Sequence, residues 1–106
     1  MERIAATSID DPSGTVELTV PPGFSLWTLM IVPTNSAGTP DDPTYELKYW
    51  ADEQFRSTNP MKTGTAVLNQ VSVETWDDAV NRIQVVLTEG STPHDGPTEI
   101  RLHGSR

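Results

Sequence analysis

TVELTVPPGFSLWTLMIVP, residues 15–33, is the stretch that decides the fold class of this chain. In residues 15–20 aliphatic side chains alternate with threonine and glutamate, the pattern of a β-strand with one buried face. Two prolines and a glycine within residues 21–25 then turn the chain. Residues 26–33 are apolar on both faces apart from Thr28, which is typical of a strand in the middle of a sheet. The stretch therefore predicts a strand, a corner and a second strand.

The rest of the chain continues this succession of short strands and turns rich in Gly, Pro and Asp. The segments predicted to be strands are residues 3–9, 15–20, 26–33, 44–55, 65–68, 70–76, 81–88 and 98–103. Of these, residues 65–68 are either a short strand or the approach to the next one. Seven or eight short strands at this spacing predict a single all-β domain over residues 1–106, an antiparallel β-sandwich or jelly roll.

Residues 44–55 fit two structures. As a strand, this segment has Leu47 on its buried face and Trp50 on the opposite, polar face. As a helix, it would begin at Pro43 and present an apolar stripe that ends at Phe55. The alternation and the aromatic content of the segment favour the strand.

Strand alternation also predicts which side chains form the core. The inward-facing aliphatic residues are Val16, Leu18, Val20, Leu29, Ile31, Leu47, Val71, Val73, Ile83, Val85, Leu87, Ile100 and Leu102. A shift of one residue in any strand would move its whole set to the other face, so this list is a test of the strand registers.

Composition excludes several function classes. The chain has 106 residues, a formal net charge of −8 and no cysteine. Because nucleic-acid binders need clusters of Lys and Arg, this acidity argues against a nucleic-acid partner. The lack of cysteine excludes a disulfide framework and thiolate chemistry. Residues 1–6 lack the apolar core of a signal peptide, and no apolar run is long enough to span a membrane. We therefore expect a protein made in the cytoplasm, with no membrane partner.

Candidate catalytic groups are few. The two histidines are His94 and His103, and a catalytic histidine needs both an orienting carboxylate and a nucleophile. Asp95 is poorly placed to orient His94, because neighbouring side chains in an extended chain point apart, so we expect both histidines to be solvated. Three pairs of adjacent aspartates lie in predicted turns but lack the alternating spacing of a calcium loop. The sequence therefore predicts no enzyme activity, no metal and no cofactor.

Trp50, Trp76 and Tyr49 are the candidate interface or ligand-binding residues. Trp50 lies on the polar face of its predicted strand, and Trp76 lies on the face opposite Val71 and Val73. An exposed tryptophan on a sheet serves either a protein interface or a platform on which a sugar stacks. The alternative is that a neighbouring strand or loop covers each ring.

Residues 18–29, LTVPPGFSLWTL, resemble a pattern in virion proteins of tailed phages. In that pattern a strand ending in Thr-Val-Pro-x-Gly leads into a strand that contains a tryptophan, here Trp27, among alternating aliphatic residues. The resemblance covers residues 15–33 and implies a small β-sandwich or jelly-roll module that decorates a capsid or belongs to a tail or fibre. It carries no catalytic residue.

The sequence hypothesis is therefore a non-enzymatic virion structural protein, either a capsid decoration (cement) subunit or a tail component. Its expected location is the virion. Its expected partners are the major capsid protein or tail proteins, and copies of itself in a symmetric oligomer such as a trimer. The alternative hypothesis is a carbohydrate-binding module that uses Trp50, Tyr49 or Trp76 as stacking platforms.

Overall fold

The computed structural model describes residues 1–52 and 60–106. These residues contain eight β-strands and no helix, so none of them belongs to a helix that could cross a membrane. The strands are β1 (Glu2–Ile9), β2 (Gly14–Thr19), β3 (Leu26–Pro33), β4 (Thr44–Trp50), β5 (Lys62–Thr65), β6 (Ser72–Trp76), β7 (Arg82–Thr88) and β8 (Thr98–Ser105).

The strands form two four-stranded antiparallel sheets. Sheet I has the order β1-β8-β3-β6, and sheet II has the order β2-β7-β4-β5. Every connection crosses from one sheet to the other except the β4–β5 connection, which stays in sheet II. This is the double Greek-key arrangement of a jelly roll. The all-β sandwich prediction is confirmed, and β3 lies inside its sheet as residues 26–33 predict.

The two sheets bury one hydrophobic core between them. The predicted core residues that are buried are Val20, Leu29, Ile31, Leu47, Ile83, Val85, Leu87, Ile100 and Leu102. Val16 and Leu18 are half-buried against this core, because they lie on β2, an edge strand of sheet II. In the middle of sheet I, Leu29 pairs with Leu102 and Ile31 pairs with Ile100.

Two of the predicted strands differ from the observed ones by more than two residues. Residues 44–50 form a strand, as the favoured interpretation has it, but residues 51 and 52 lie beyond its end, and residues 53–55 of the same prediction lie outside the described residues. The short strand expected at residues 65–68 lies earlier, at Lys62–Thr65, where it pairs with β4. Its polar sequence, KTGT, has no apolar alternation that could have revealed it.

The prediction that Val71 and Val73 lie in the core is wrong, because the opposite face of β6 points inward. Val71 is 58% exposed and Val73 is 52% exposed, whereas Trp76 is buried. Burying one tryptophan removes about 150–250 Å² from water, which at about 25 cal/mol per Å² is comparable to the gain from two valines. The inward Glu74 adds a hydrogen bond of 2.6 Å from the Tyr45 hydroxyl of the facing sheet. The burial of Trp76 and the hydrogen bond between Glu74 and Tyr45 together decide which face of β6 points inward.

Candidate functional site

The structure corrects the prediction that Trp50 and Trp76 are exposed. Trp76 is 6% exposed and Trp50 is 4% exposed. Strand alternation does place Trp50 on the outer face of sheet II, next to Arg82 of β7, but the chain itself covers its ring. Tyr49 is half-buried and packs against the core. A large apolar ring loses free energy in water, which accounts for the burial of both tryptophans.

Trp76 and Tyr49 belong to an aromatic stack at the end of the core where β3 begins. The Trp76 ring lies parallel to that of Tyr49, with centroids 4.9 Å apart and planes at 9°. Its other neighbour is Trp27, at 6.4 Å, and Trp27 in turn contacts Phe24 at 5.6 Å. Gly104 makes room for this stack, since a Cβ atom there would lie 2.7 Å from the Phe24 ring.

Two polar groups of this stack, the Trp27 indole N–H and the Tyr49 hydroxyl, interact with the segment that follows β6. The Trp27 indole N–H donates a hydrogen bond of 2.9 Å to the backbone carbonyl of Asp78. Burial, followed by the nearby negative charges of Asp78 and Asp77, raises the pKa of the Tyr49 hydroxyl. Among the described residues no aromatic ring is left exposed as a platform on which a sugar could stack. The stack therefore stabilises the core.

His94 is buried, not solvated as the sequence suggests. Its Nδ1 atom contacts the Glu89 carboxylate, and its Nε2 atom lies 3.0 Å from Oγ1 of Thr98. A carboxylate, an imidazole and a hydroxyl in this order match the connectivity of a catalytic triad. However, Thr98 is 0% exposed and His94 is 2% exposed, so no substrate can reach the hydroxyl. The three side chains connect the β7–β8 loop to the start of β8.

Asp95 has a different role from orienting the neighbouring histidine. Its carboxylate accepts hydrogen bonds from the Ser36 backbone N–H at 2.9 Å, the Ser36 hydroxyl at 2.8 Å and the Ala37 N–H at 3.2 Å. These hydrogen bonds, with that of the Ser36 backbone first, hold the pKa of the Asp95 carboxyl below its usual value. Asp95 therefore ties the β7–β8 loop to the β3–β4 loop.

The exposed valines of β6 create an apolar area on the outer face of sheet I, which we call the outer apolar patch. It consists of Met30 and Val32 of β3, Val73 of β6 and Val71 just before β6. Met30 pairs directly with Val73 across the two strands. A depression of about 200 Å³ opens between Met30, Val32 and Val71, with Glu99 and Arg101 of β8 at its rim. The patch therefore combines apolar side chains with one charged group of each sign.

Among the described residues, Glu99 is the one acidic residue that strand alternation places on this face. By strand alternation the charged residues on the outer face of sheet I are Arg3, Arg101 and Glu99. The loops at the end of the sandwich where β1 finishes contain no Lys or Arg. Their acidic residues are Asp10, Asp11, Asp41, Asp42, Glu89 and Asp95. The outer face of sheet I is thus close to neutral in a chain with a net charge of −8.

Neither the outer apolar patch nor the buried His94 cluster is predicted from the sequence. The outer apolar patch could have been found from residues 70–76, because that segment has apolar side chains on both faces and one face had to remain outside. The His94 cluster gave no local signal, because its members are spread over a loop whose path is set by the sheets.

Similarity to known proteins is limited to distant likeness of shape. No protein-family model matches the chain, and no curated protein matches it. Among solved structures it is similar to one described as "EclA C-terminal domain; sugar-binding protein", with 12% identity, a TM-score of 0.46, and coverage of 96% of this chain and 78% of that one. A second, described as "Bacillus endospore appendages form a novel family of disulfide-linked pili", has 6% identity, a TM-score of 0.40, and coverage of 96% and 88% respectively. Both scores are too low to indicate a function for this chain.

Proposed function

We propose that this protein is a non-enzymatic structural subunit that joins an assembly through the outer apolar patch of sheet I. The exposure of Val71 and Val73, at 58% and 52%, carries the proposal. Two such valines beside Met30 form a contiguous apolar area, and contiguous apolar areas rimmed by polar residues are characteristic of protein contact surfaces. A flat sheet face with a shallow depression also suits a protein partner better than a small molecule, which needs a deeper and more enclosed pocket.

More specifically, we propose that the assembly is a virion. This proposal is supported by the resemblance of residues 18–29 to tailed-phage virion proteins. A jelly roll is found in viral capsid proteins and in lectins alike, so the fold itself does not separate the two hypotheses. The burial of Trp50 and Trp76 does favour a structural subunit over a carbohydrate-binding module, because the proposed stacking platforms are inside the molecule.

The test compares two substitutions at exposed positions of edge strands. Val73→Asp places a charge in the outer apolar patch, and Thr63→Asp places the same charge on β5, at an exposed position of sheet II. Particles would be purified from cells that produce the protein naturally, with wild-type or variant chains expressed in them, and the amount of chain that sediments with the particles measured. We expect Val73→Asp to lose most of this association and Thr63→Asp to keep it.

Two controls accompany this experiment. Circular dichroism and thermal unfolding establish that both variants fold, and Val73→Thr, which keeps the shape of the side chain, gives a milder loss of the same kind. If Val73→Asp folds and sediments with the particles as the wild type does, the proposed function is wrong. If no variant affects sedimentation but glycan binding is present, the carbohydrate-binding alternative replaces it.

A further inference from the structure

The outer face of sheet I is complementary to itself, and this identifies a partner. Two adjacent rows of side chains cross this face. The first row consists of Ala6, Arg101, Met30 and Val73. The second row consists of Ser8, Glu99 and Val32, with Val71 beside Val32 in the same depression. Each row therefore has a small residue, a charged residue and two apolar residues in the same order, and the two charges have opposite signs.

We propose that the partner at this face is a second copy of this chain, packed face to face about a twofold axis that runs between the two rows and perpendicular to the strands. This inference rests on the proposed function and specifies its partner. The rotation places the first row of one copy over the second row of the other. Arg101 of each copy then faces Glu99 of the other, and Met30 faces Val32. Self-complementary contact of this kind is what a twofold interface requires.

Charge selects this axis over the other in-plane axis. An axis parallel to the strands would place Arg101 over Met30 and would bring the two acidic loop ends to the same end of the dimer. The perpendicular axis puts those loop ends at opposite ends of the dimer. For chains that each have a net charge of −8, this difference lowers the repulsion between the copies.

The available area sets the strength of the contact. The outer face of sheet I has three strands of eight residues and β6 of five, about 4.8 Å apart, which gives roughly 500 Å² in projection. The axis passes between residues 30 and 32, nearer the acidic loops than the centre of the sheet, so the two copies overlap over only part of this face. A standard interface buries about 800 Å² of accessible surface on each partner, so this contact is smaller than a standard interface. We therefore expect a dissociation constant on the order of 10⁻⁵ M, with occupancy raised by the high local concentration within an assembly.

Arg101 and Glu99 also offer a test by charge exchange. Within one chain they form an ion pair of 3.6 Å whose side chains are 55% and 54% exposed, so replacing either should hardly change the stability of the monomer. In the proposed dimer, Arg101→Glu sets carboxylates against each other, and Glu99→Arg sets guanidinium groups against each other. A mixture of the two variants restores both attractive pairs, and so does the double variant.

The experiment is sedimentation equilibrium of the purified full chain from about 1 μM to 1 mM, a range that brackets the expected dissociation constant. We expect the wild type to dimerise, each single variant to weaken dimerisation at least tenfold, and both the equimolar mixture and the double variant to recover it. Thr63→Glu on sheet II is the matched control and should dimerise as the wild type does.

The outcomes separate this inference from the proposed function. A wild type that stays monomeric at 1 mM, or a mixture that fails to recover dimerisation, overturns the twofold contact. If Val73→Asp nevertheless releases the chain from particles, the proposed function stands and the partner is a different protein. If Val73→Asp alters neither dimerisation nor particle association, both are wrong.

Discussion

The outer faces of the two sheets cover the same core but have different chemistry. On sheet II, Glu17 forms an ion pair of 2.8 Å with Arg82, and Gln84 lies 3.5 Å from the same carboxylate, among exposed threonines. On sheet I the corresponding positions include Met30 and Val73. Apart from the covered Trp50 and from Val86, sheet II has a polar outer face over the same core. The apolar side chains on the outer face of sheet I are therefore not required by the fold, and the proposed contact surface would account for them.

The largest expected effect tests which face of β6 points inward. Trp76→Ala should lower the free energy of unfolding by about 3–5 kcal/mol, as for other buried tryptophans. Val73→Ala, three residues earlier on the outer face, should cost less than about 1 kcal/mol because the side chain is already half in water. Urea unfolding of the two variants measures the difference. Equal costs would mean that the register of β6 is wrong.

Trp50→Ala tests whether the outer face of sheet II contains a covered ring. Because the Trp50 side chain is 4% exposed, its removal should lower the free energy of unfolding by about 2–4 kcal/mol. Strand alternation alone predicts an exposed ring, whose removal would leave the stability nearly unchanged. Chemical unfolding followed by far-ultraviolet circular dichroism distinguishes the two. If the free energy of unfolding falls by less than about 0.5 kcal/mol, the ring is exposed and Trp50 is again a candidate interface residue.

Alkaline pH tests the burial of the Tyr45 hydroxyl, which donates a hydrogen bond to Glu74 of β6. Burial, followed by the hydrogen bond to Glu74, raises the pKa of the Tyr45 hydroxyl above its usual value. Since the pKa is higher in the folded chain than the value of about 10 in the unfolded chain, the stabilisation is fully present below pH 10 and declines above it. For one group the slope is at most about 1.4 kcal/mol per pH unit.

The measurement is the urea midpoint between about pH 9 and pH 12, on either side of the ordinary tyrosine pKa. Tyr45→Phe is the control, because it removes the ionisable group and should reduce the slope. The burial of Tyr49 also raises the pKa of its hydroxyl, so part of the slope should remain in this variant. An unchanged slope would show that the pKa of Tyr45 is not raised in the folded chain.

The smallest expected effect concerns the polar face of sheet II. Glu17→Gln removes an ion pair whose side chains are 34% and 39% exposed, and such pairs contribute about 0–1 kcal/mol. Both stability and dimerisation should therefore change little. Dimerisation of this variant is measured by sedimentation, as for Arg101→Glu. A loss of dimerisation would mean that the contact surface lies on sheet II.

The fold was largely predictable because most strands have apolar residues on one face. Residues 81–88, for example, give both the strand and its buried side correctly, since Ile83, Val85 and Leu87 alternate with an outer face that is polar except at Val86. Residues 70–76 give the strand but not its orientation, because Val73 and Trp76 are on opposite faces and both are apolar. The deciding interaction, between Glu74 and Tyr45, joins two sheets and leaves no trace in local periodicity.

The candidate site was harder to predict because it too depends on contacts between strands that are far apart in the sequence. Strand alternation in the sequence directs Trp50 and Trp76 away from the expected core, yet the chain covers both. The outer apolar patch depends on the pairing of β3 with β6, which are far apart in the sequence. Which exposed face becomes a contact surface follows from sheet order, and sheet order is set by long-range packing.

The most direct test of the contact surface is nuclear magnetic resonance of the ¹⁵N-labelled chain at a series of concentrations up to about 1 mM, well above the expected dissociation constant. We expect concentration-dependent shifts of the amide signals of β3, β6 and β8, centred on Met30, Val73 and Arg101, while the signals of β2 and β7 stay constant. Shifts confined to sheet II or to the acidic loops, or no shifts at any concentration, would contradict the assignment of the outer face of sheet I as the surface through which this protein assembles.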